Sequence, residues 1–199
     1  DRPCLVVGGG EVAARKVKQL LNAEGRVRVL APDLCPALHE LLTEGHIDQI
    51  TSELSIDLLA DCVVVIAATD DPAVNEKVSS LAQSRRIPVN VVDNPELCSF
   101  IMPSVVNRDP VQIAISTGGA SPVLARLLMA RLETMIPAAY GRLAELMREF
   151  RDEVKRRFPT TQERRRFWEQ ILQGPVAEML FAGQDRAALE VLGRQLNES

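Results

Sequence analysis

The segment CLVVGGGEVAARK, residues 4–16, begins with four apolar residues, passes through three consecutive glycines and continues into helix-forming residues. A second apolar run, VRVLA at 27–31, follows where the next strand of a βαβ unit is expected. The segment fits the pattern G-x-G-x-x-A, with Gly8, Gly10 and Ala13 at its fixed positions. Strand, glycine turn, helix and strand in this order are typical of a unit that binds a dinucleotide.

Each small residue of this pattern has a physical reason. Gly8 permits the tight turn, Gly10 allows the backbone to approach a pyrophosphate, and a small residue at position 13 lets the helix pack closely on the strand. The start of the helix then presents free N–H groups and the positive end of its dipole to the phosphates. The alternative is a tight turn between strand and helix that binds nothing.

The ribose contact is expected about 20 residues further on, near the end of the second strand. Asp33 is the nearby acidic candidate, and it comes directly after Pro32. No basic residue stands there to hold a 2′-phosphate, so the sequence favours NAD over NADP.

The composition is that of an ordinary globular protein, with 46% hydrophobic and 25% charged residues in a chain of 199. No apolar run approaches the roughly 18–20 residues that a membrane helix needs. The four cysteines form no C-x-x-C pair and no zinc-binding spacing with the two histidines, so we predict reduced cysteines and no metal site. The reduced cysteines favour a cytoplasmic protein. Because Asp1 leads almost at once into an apolar strand, we expect no signal peptide, and we expect that a short N-terminal segment is missing from this sequence.

Charge is unevenly distributed along the chain, whose net charge is −4. Residues 120–170 carry eleven Lys/Arg and seven Asp/Glu, whereas the remainder carries twelve and twenty. An acidic region next to a basic one suggests a small anionic ligand. Only 4% of the residues are aromatic, which argues against nucleic acid as a partner.

Strands and helices alternate as far as Asp93, which predicts a Rossmann-type, doubly wound parallel sheet. The pattern then changes to two extended runs, 100–106 and 111–116, that are spaced as an antiparallel hairpin. Helices are predicted over 121–136, 138–157, 161–172 and 176–195. We therefore expect an α/β fold with a Rossmann domain (1–105), a hairpin and helix region (106–140) and a small all-helical domain (141–199).

Three segments are expected to converge beyond the carboxyl ends of the strands, where open α/β sheets bind ligands. They are 8–12, 67–70 and 90–94, and the small residues Ala68 and Thr69 would let a cofactor lie across the second. Asp93 ends an apolar strand, so we expect it to be partly desolvated and usable as a general base. The alternative is an Asx turn in which Asp93 satisfies the backbone before Pro95.

A second loop of phosphate-binding type, STGGASP at 116–122, precedes a helix with Ser121 as its N-cap. Such a loop can bind carboxylate or phosphate oxygens through its N–H groups, and Arg126 would lie about one turn into the helix. A plain capped helix start is the alternative.

Five motifs in order carry a family resemblance that covers nearly the whole chain. They are GGGEVAARK (8–16), AATDDPAVN (67–75), NVVDNP (90–95), SFIMPSVVNRDPVQIAISTGGASPVLARLL (99–128) and ERRRFWE (163–169). With these motifs the chain resembles the bifunctional precorrin-2 dehydrogenase/sirohydrochlorin ferrochelatase module, which forms the N-terminal half of bacterial siroheme synthases.

The resemblance implies a homodimeric enzyme of siroheme biosynthesis. Such an enzyme oxidises precorrin-2 to sirohydrochlorin with NAD and then inserts Fe²⁺, an oxidoreductase and a lyase activity in one module. The resemblance makes Asp93 the residue implicated in both reactions and 106–140 the dimerisation region. It implies cofactor contacts at Gly8, Gly9, Gly10, Glu11, Val12, Pro32 and Asp33, to which the positions at the strand ends add Ala68 and Thr69. It implies substrate contacts at Ser116, Thr117, Gly118 and Gly119, without a bound metal cofactor, and the strand end and the first turns of the helix add Asn90 and Arg126.

Two departures and two alternatives accompany the resemblance. Thr117 stands where some relatives have a serine that is described as a phosphorylation site, which puts that regulation in doubt. Some relatives continue into a uroporphyrinogen methyltransferase domain, so we expect this chain to be part of a trifunctional enzyme. The alternatives are a dehydrogenase without chelatase activity and a non-catalytic, NAD-sensing Rossmann module.

Overall fold

The computed structural model describes residues 2–198, which divide into two compact units. The first unit extends to Met102 and the second begins at Pro103. Each unit has a core of its own, and the three-part division at 105 and 140 stays a prediction.

The first unit alternates strands and helices, as the sequence predicts. Two short 3₁₀ turns, Ile56–Leu59 and Pro95–Leu97, complete it. Its regular elements are β1 (Arg2–Val7), α1 (Glu11–Asn22), β2 (Gly25–Leu30), α2 (Pro36–Thr43), β3 (Ile47–Ile50), β4 (Val64–Ala67), α3 (Pro72–Ser84) and β5 (Val89–Val91).

The five strands form one parallel sheet in the order β3-β2-β1-β4-β5. This is the Rossmann-type arrangement, and the predicted α/β fold is therefore confirmed. Val7 at the end of β1 pairs with Leu30 on one side and with Ala67 on the other. The carboxyl ends of β1, β2 and β4 are consequently level, and the strand order reverses between β1 and β4.

The central strands β1 and β4 are buried on both faces, which explains why they contain continuous apolar runs, whereas the edge strand β3 (IDQI) does not. Leu5 and Val7 point to the face that α3 covers, where they join a core with Val78 and Ala82. The alternate residues of β1 point to the other face and pack with Ala13, Ala14 and Val17 of α1. Ala13, the small residue of the glycine pattern, is fully buried there, in agreement with its predicted role.

The second unit opens with an antiparallel hairpin of β6 (Ser104–Arg108) and β7 (Val111–Ile115), as predicted. Helices form the rest of the unit, and their largest buried cluster includes Leu143, Phe167 and Leu192. They are α4 (Pro122–Met135), α5 (Ala139–Glu149), α6 (Arg151–Arg157), α7 (Thr161–Gln173), α8 (Pro175–Phe181) and α9 (Asp185–Glu198).

Two of the predicted helices are wrong as single elements. The helix expected over 138–157 breaks at Phe150, which ends α5 and precedes α6. The helix expected over 176–195 breaks near Gly183, whose φ of 75° lies in the left-handed region that ends helices.

Candidate active site

A cavity of about 800 Å³ opens at the carboxyl ends of β1, β2 and β4, where the strand order reverses. Ligands bind at this position in open α/β sheets. All nine residues predicted to contact the cofactor line it: Gly8, Gly9, Gly10, Glu11, Val12, Pro32, Asp33, Ala68 and Thr69. The fold thus brings together two of the three segments that the sequence analysis placed at one edge.

The three glycines of the loop are required for different reasons. Gly8 has a φ of 123°, and a Cβ there would collide with the backbone carbonyl of Ala68. A Cβ on Gly9 would collide with the carbonyl of Asp33. Gly10 is different, because its Cβ would meet nothing within 4 Å. Gly8 and Gly9 therefore let the loop pack directly against the backbone of Ala68 and Asp33, whereas the space beside Gly10 stays open.

The start of α1 is suited to a phosphate group. Gly10 is its N-cap residue, and no side chain of residues 2–198 caps this helix. The first N–H groups of the helix are then available to a ligand, and the helix dipole favours a negative charge. Together with the open space at Gly10, these amides fit the pyrophosphate of a dinucleotide.

The far side of the cavity is formed by the ends of β2 and β3. Asp33 is exposed there, as a ribose-binding carboxylate must be. Gln49 of β3 holds the loop in front of Asp33, because its side-chain amide donates to the carbonyls of Ala31 at 3.0 Å and Pro32 at 3.2 Å. The sequence analysis missed Thr51 and Ser52, which also line this side. They follow β3 directly, so the strand-end rule that identified Ala68 could have identified them.

Thr69 has a structural role besides lining the cavity. Its hydroxyl accepts from the Asp71 N–H at 3.2 Å and lies 2.9 Å from the side-chain oxygen of Asn75. Asp71 in turn caps α3 by accepting from the Ala73 N–H at 2.9 Å. The segment therefore lines the cavity and also supports the start of α3.

Asp93 lies at the end of β5, next to the strand that leads to Ala68. The Val92 N–H donates to the carbonyl of Ala67 at 2.9 Å, which ties the two strand ends together. Asp93 itself has a φ of 58° and an exposed side chain. The expectation that Asp93 is partly desolvated is therefore wrong for this chain, because the left-handed turn directs the residue outward. No Asx turn is seen either, since the turn is closed by the Asn94 N–H donating to the Val91 carbonyl at 3.3 Å.

Cys98 and Asn90 form hydrogen bonds with the residues before and after the Asp93 turn. The Cys98 sulfur accepts from the Val91 N–H at 3.1 Å and lies 3.3 Å from the Asn94 carbonyl oxygen. Asn90 is buried, and its side-chain amide donates to the Phe100 carbonyl at 3.1 Å. Asn90 therefore holds the chain that follows Asp93, and its predicted substrate contact stays a prediction.

The loop at 116–120 lies in the second unit and uses most of its polar groups internally. The N–H of Gly118 donates to the Ser116 hydroxyl at 3.2 Å, and the Ser121 N–H donates to the Thr117 hydroxyl at 3.1 Å. Ser121 caps α4 by accepting from the Leu124 N–H, as predicted. Gly118 and Gly119 have φ values of 63° and 85° and are exposed, as is Arg126 on the first turns of α4. These bonds are those of a capped helix start, so the predicted substrate contacts of the loop stay predictions.

Within residues 2–198, no group of three or more His, Cys, Asp or Glu side chains is arranged to hold a metal ion. In the same range, no helix is both long enough and apolar enough to cross a membrane.

Family comparisons divide the chain into three consecutive matches. A family model described as NAD(P)-binding matches residues 1–104. Models described as the sirohaem biosynthesis protein central region and the sirohaem synthase dimerisation region match residues 108–135 and 139–196.

Curated proteins named siroheme synthase match along almost the whole chain. The protein of Nitrosospira multiformis is 61% identical over 98% of this chain, and that of Nitrosomonas europaea is 52% identical over all of it. The chain spans about 42% of the length of each of these relatives.

Among solved structures, one titled "SirC, precorrin-2 dehydrogenase" covers all of this chain and 95% of its own, with a TM-score of 0.76 and 22% identity. This likeness shows a common fold. Taken with the three family matches and the cavity around the glycine loop, it leads to one conclusion: the chain belongs to the siroheme synthase family, as the N-terminal module that contains its NAD-binding domain.

Proposed function

We propose that this chain oxidises precorrin-2 to sirohydrochlorin with NAD⁺ as hydride acceptor and then inserts Fe²⁺ to give siroheme. The observation that carries the proposal is the cavity at the strand ends, which all nine predicted cofactor residues line, with Asp93 at the end of the neighbouring strand. The relatives named siroheme synthase support the pathway, and their greater length leaves the division of activities to be tested on this chain.

When bound, the nicotinamide would supply the acceptor for the hydride that precorrin-2 loses. The start of α1 would hold the pyrophosphate through its backbone N–H groups, and Asp33 would accept from the ribose hydroxyls. The open space at Gly10 would let the cofactor lie directly on the backbone. These residues would fix the position of the cofactor.

Asp93 is the proposed base for both reactions. Oxidation removes two hydrogen atoms from precorrin-2, one as a hydride and one as a proton. The Asp93 carboxylate receives the proton. Insertion of Fe²⁺ releases two pyrrole N–H protons, which the same carboxylate can pass to solvent one at a time. The exposed position of Asp93 allows this exchange with water.

The decisive experiment follows both steps in one tube with the wild-type chain and the Asp93→Ala variant. Precorrin-2 and NAD⁺ are supplied without metal, NADH formation is recorded, and Fe²⁺ is then added under anaerobic conditions. We expect the wild type to form NADH and then siroheme, and Asp93→Ala to lose about 10²–10⁴-fold in rate in both steps. The variant should still fold and bind NAD⁺ because the side chain is exposed, with some loss of stability because alanine tolerates the φ of 58° less well than aspartate. Asp93→Asn, which tolerates this φ, is the matched variant without the charge.

The outcomes separate the alternatives. NADH without metal insertion leaves a dehydrogenase with the chelatase elsewhere. NAD⁺ binding without any oxidation of verified precorrin-2 supports the sensing module instead. A folded Asp93→Ala variant with full rates in both steps would remove Asp93 from the mechanism.

A further inference from the structure

Lys16 lies on α1, in the turn after the glycine loop, and its side chain is half-buried. Its ammonium donates to the thioether sulfur of Met102 at 3.6 Å. Met102 ends the segment that follows Asp93, and both Met102 and Val92 pack against the core that α1 covers. The chain that leaves the Asp93 turn therefore returns to α1 at Lys16.

This contact satisfies the ammonium poorly. A thioether is a weak acceptor, and a buried ammonium is normally paired with an anion. None of the ion pairs among residues 2–198 includes Lys16. Burial lowers the pKa of Lys16, with Arg15 adding to the effect, while the Asp93 carboxylate and the Cys98 thiol act to raise it. The ammonium is thus within electrostatic reach of Asp93 without being bonded to it.

The proposed substrate supplies the missing anion. Precorrin-2 and sirohydrochlorin are polycarboxylates, so their approach to an ionised Asp93 is opposed by repulsion of like charges. A cation beside Asp93 offsets this repulsion and fixes one side chain of the macrocycle. We infer that Lys16 binds a carboxylate of the tetrapyrrole substrate next to Asp93. This inference rests on the proposed function and adds a substrate contact on α1, outside the glycine loop.

The test compares three substitutions in the 199-residue chain. Lys16→Met removes the charge and keeps the length of an apolar side chain, whereas Lys16→Arg keeps the charge. Lys18→Met is the matched control, because Lys18 is an exposed lysine on the same helix. Binding is measured by titrating each protein with sirohydrochlorin without metal, so that the readout does not depend on turnover.

We expect Lys16→Met to raise the Kd for sirohydrochlorin about tenfold, as the loss of one charge-assisted contact would. Lys16→Arg and Lys18→Met should stay within about threefold of wild type, and the Kd for NAD⁺ should be unchanged in all three. If Lys16→Met disturbs the packing of α1, seen as a lower Tm, Lys16→Gln provides the same comparison with a polar side chain.

Two results would overturn the inference. One is wild-type affinity for sirohydrochlorin in a folded Lys16→Met protein. The other is a reduced kcat for precorrin-2 oxidation with unchanged Kd and KM, which would mean that Lys16 acts on Asp93 rather than on the substrate. If the wild type binds sirohydrochlorin but forms no NADH, the proposed function is contradicted, and the Lys16 contact can still be measured by binding. If the wild type binds no tetrapyrrole, both the proposed function and the Lys16 inference are contradicted.

Discussion

At the scale of single residues, alanine should affect different properties at Gly8 and at Gly10: the stability of the fold at Gly8, and the affinity for NAD⁺ at Gly10. Gly8→Ala places a Cβ against the Ala68 carbonyl at a φ of 123°, so we expect it to lower the free energy of unfolding by about 1–3 kcal/mol. Gly10 has a φ of −86° that alanine adopts freely, so Gly10→Ala should cost less than about 1 kcal/mol. Its methyl group would instead occupy the space meant for the pyrophosphate and weaken NAD⁺ binding about tenfold.

Thermal unfolding followed by circular dichroism, together with NAD⁺ titration, checks both expectations. Gly45→Ala is a control for a left-handed glycine away from the cavity, since its φ is 75° and its Cβ would meet nothing within 4 Å. Gly45→Ala should lower stability and leave NAD⁺ affinity unchanged. Equal NAD⁺ affinity in Gly10→Ala and wild type would contradict the assignment of the pyrophosphate to this backbone.

The sequence could predict nine of the residues that line the cavity, because each lies at a strand end or in the glycine loop. It could not predict the exposure of Asp93, because an apolar strand indicates where a chain is buried but not which way the next residue turns. The Val91 N–H donates to the Cys98 sulfur and so holds the turn in which Asp93 has a φ of 58°. No local sequence pattern predicts this contact. Lys16 was missed for the same reason, since its contact with Met102 joins residues 86 positions apart.

At the scale of the element, the start of α7 is a capping box whose contribution depends on pH. Thr160 accepts from the Glu163 N–H at 3.2 Å, while the Glu163 carboxylate accepts from the hydroxyl and the N–H of Thr160. Thr160→Ala should lower the free energy of unfolding by about 1 kcal/mol at neutral pH, measured by urea denaturation. Thr134→Ala is the control, because that exposed hydroxyl only donates within its own helix and should change stability by less than about 0.5 kcal/mol.

Acidification should reduce the difference between Thr160→Ala and wild type. The hydroxyl of Thr160, and then its N–H, hold the pKa of Glu163 below its ordinary value. A lowered pKa means that the stabilisation is complete above the ordinary pKa of about 4.3 and is lost as the pH falls through the lower, folded value. A difference between the two proteins that is larger in acid than at neutral pH would contradict this sign.

The capping box was predictable because it is written in four consecutive residues, TTQE, as were the caps Asp71 and Ser121. The break near Gly183 could also have been predicted, because a glycine in the left-handed region is a local signal for the end of a helix. The break at Phe150 could not, because the helical periodicity continues across it. Helices α5 and α6 on either side of Phe150 bury apolar residues in one common cluster, so tertiary packing decides where α5 ends.

At the scale of the whole molecule, the chain divides into two compact units after Met102, whereas the uneven charge set residues 120–170 apart from the remainder. The parallel sheet was predictable because strands and helices alternate and the central strands β1 and β4 contain buried apolar runs. The apolar stripe on α4 was harder to interpret, since such a stripe is more often core. In the structure it is exposed: Val123 and Leu127 are each 58% accessible and Met135 is 67% accessible.

A monomer rarely exposes so contiguous an apolar face, so we predict that α4 is buried in a homodimer. The match to the sirohaem synthase dimerisation region supports a dimer, but it covers residues 139–196, so the assignment of α4 to the interface rests on its exposed apolar face. Leu127→Glu would bury a charge in that interface, and it should convert a protein of twice the chain mass into one of single mass in light scattering after gel filtration. Ile56→Glu, which changes an exposed isoleucine of the first unit, outside the dimerisation-region match, should leave the mass unchanged. A Leu127→Glu protein that keeps the dimer mass would place the interface on another face, and a wild type of single mass would contradict the dimer itself.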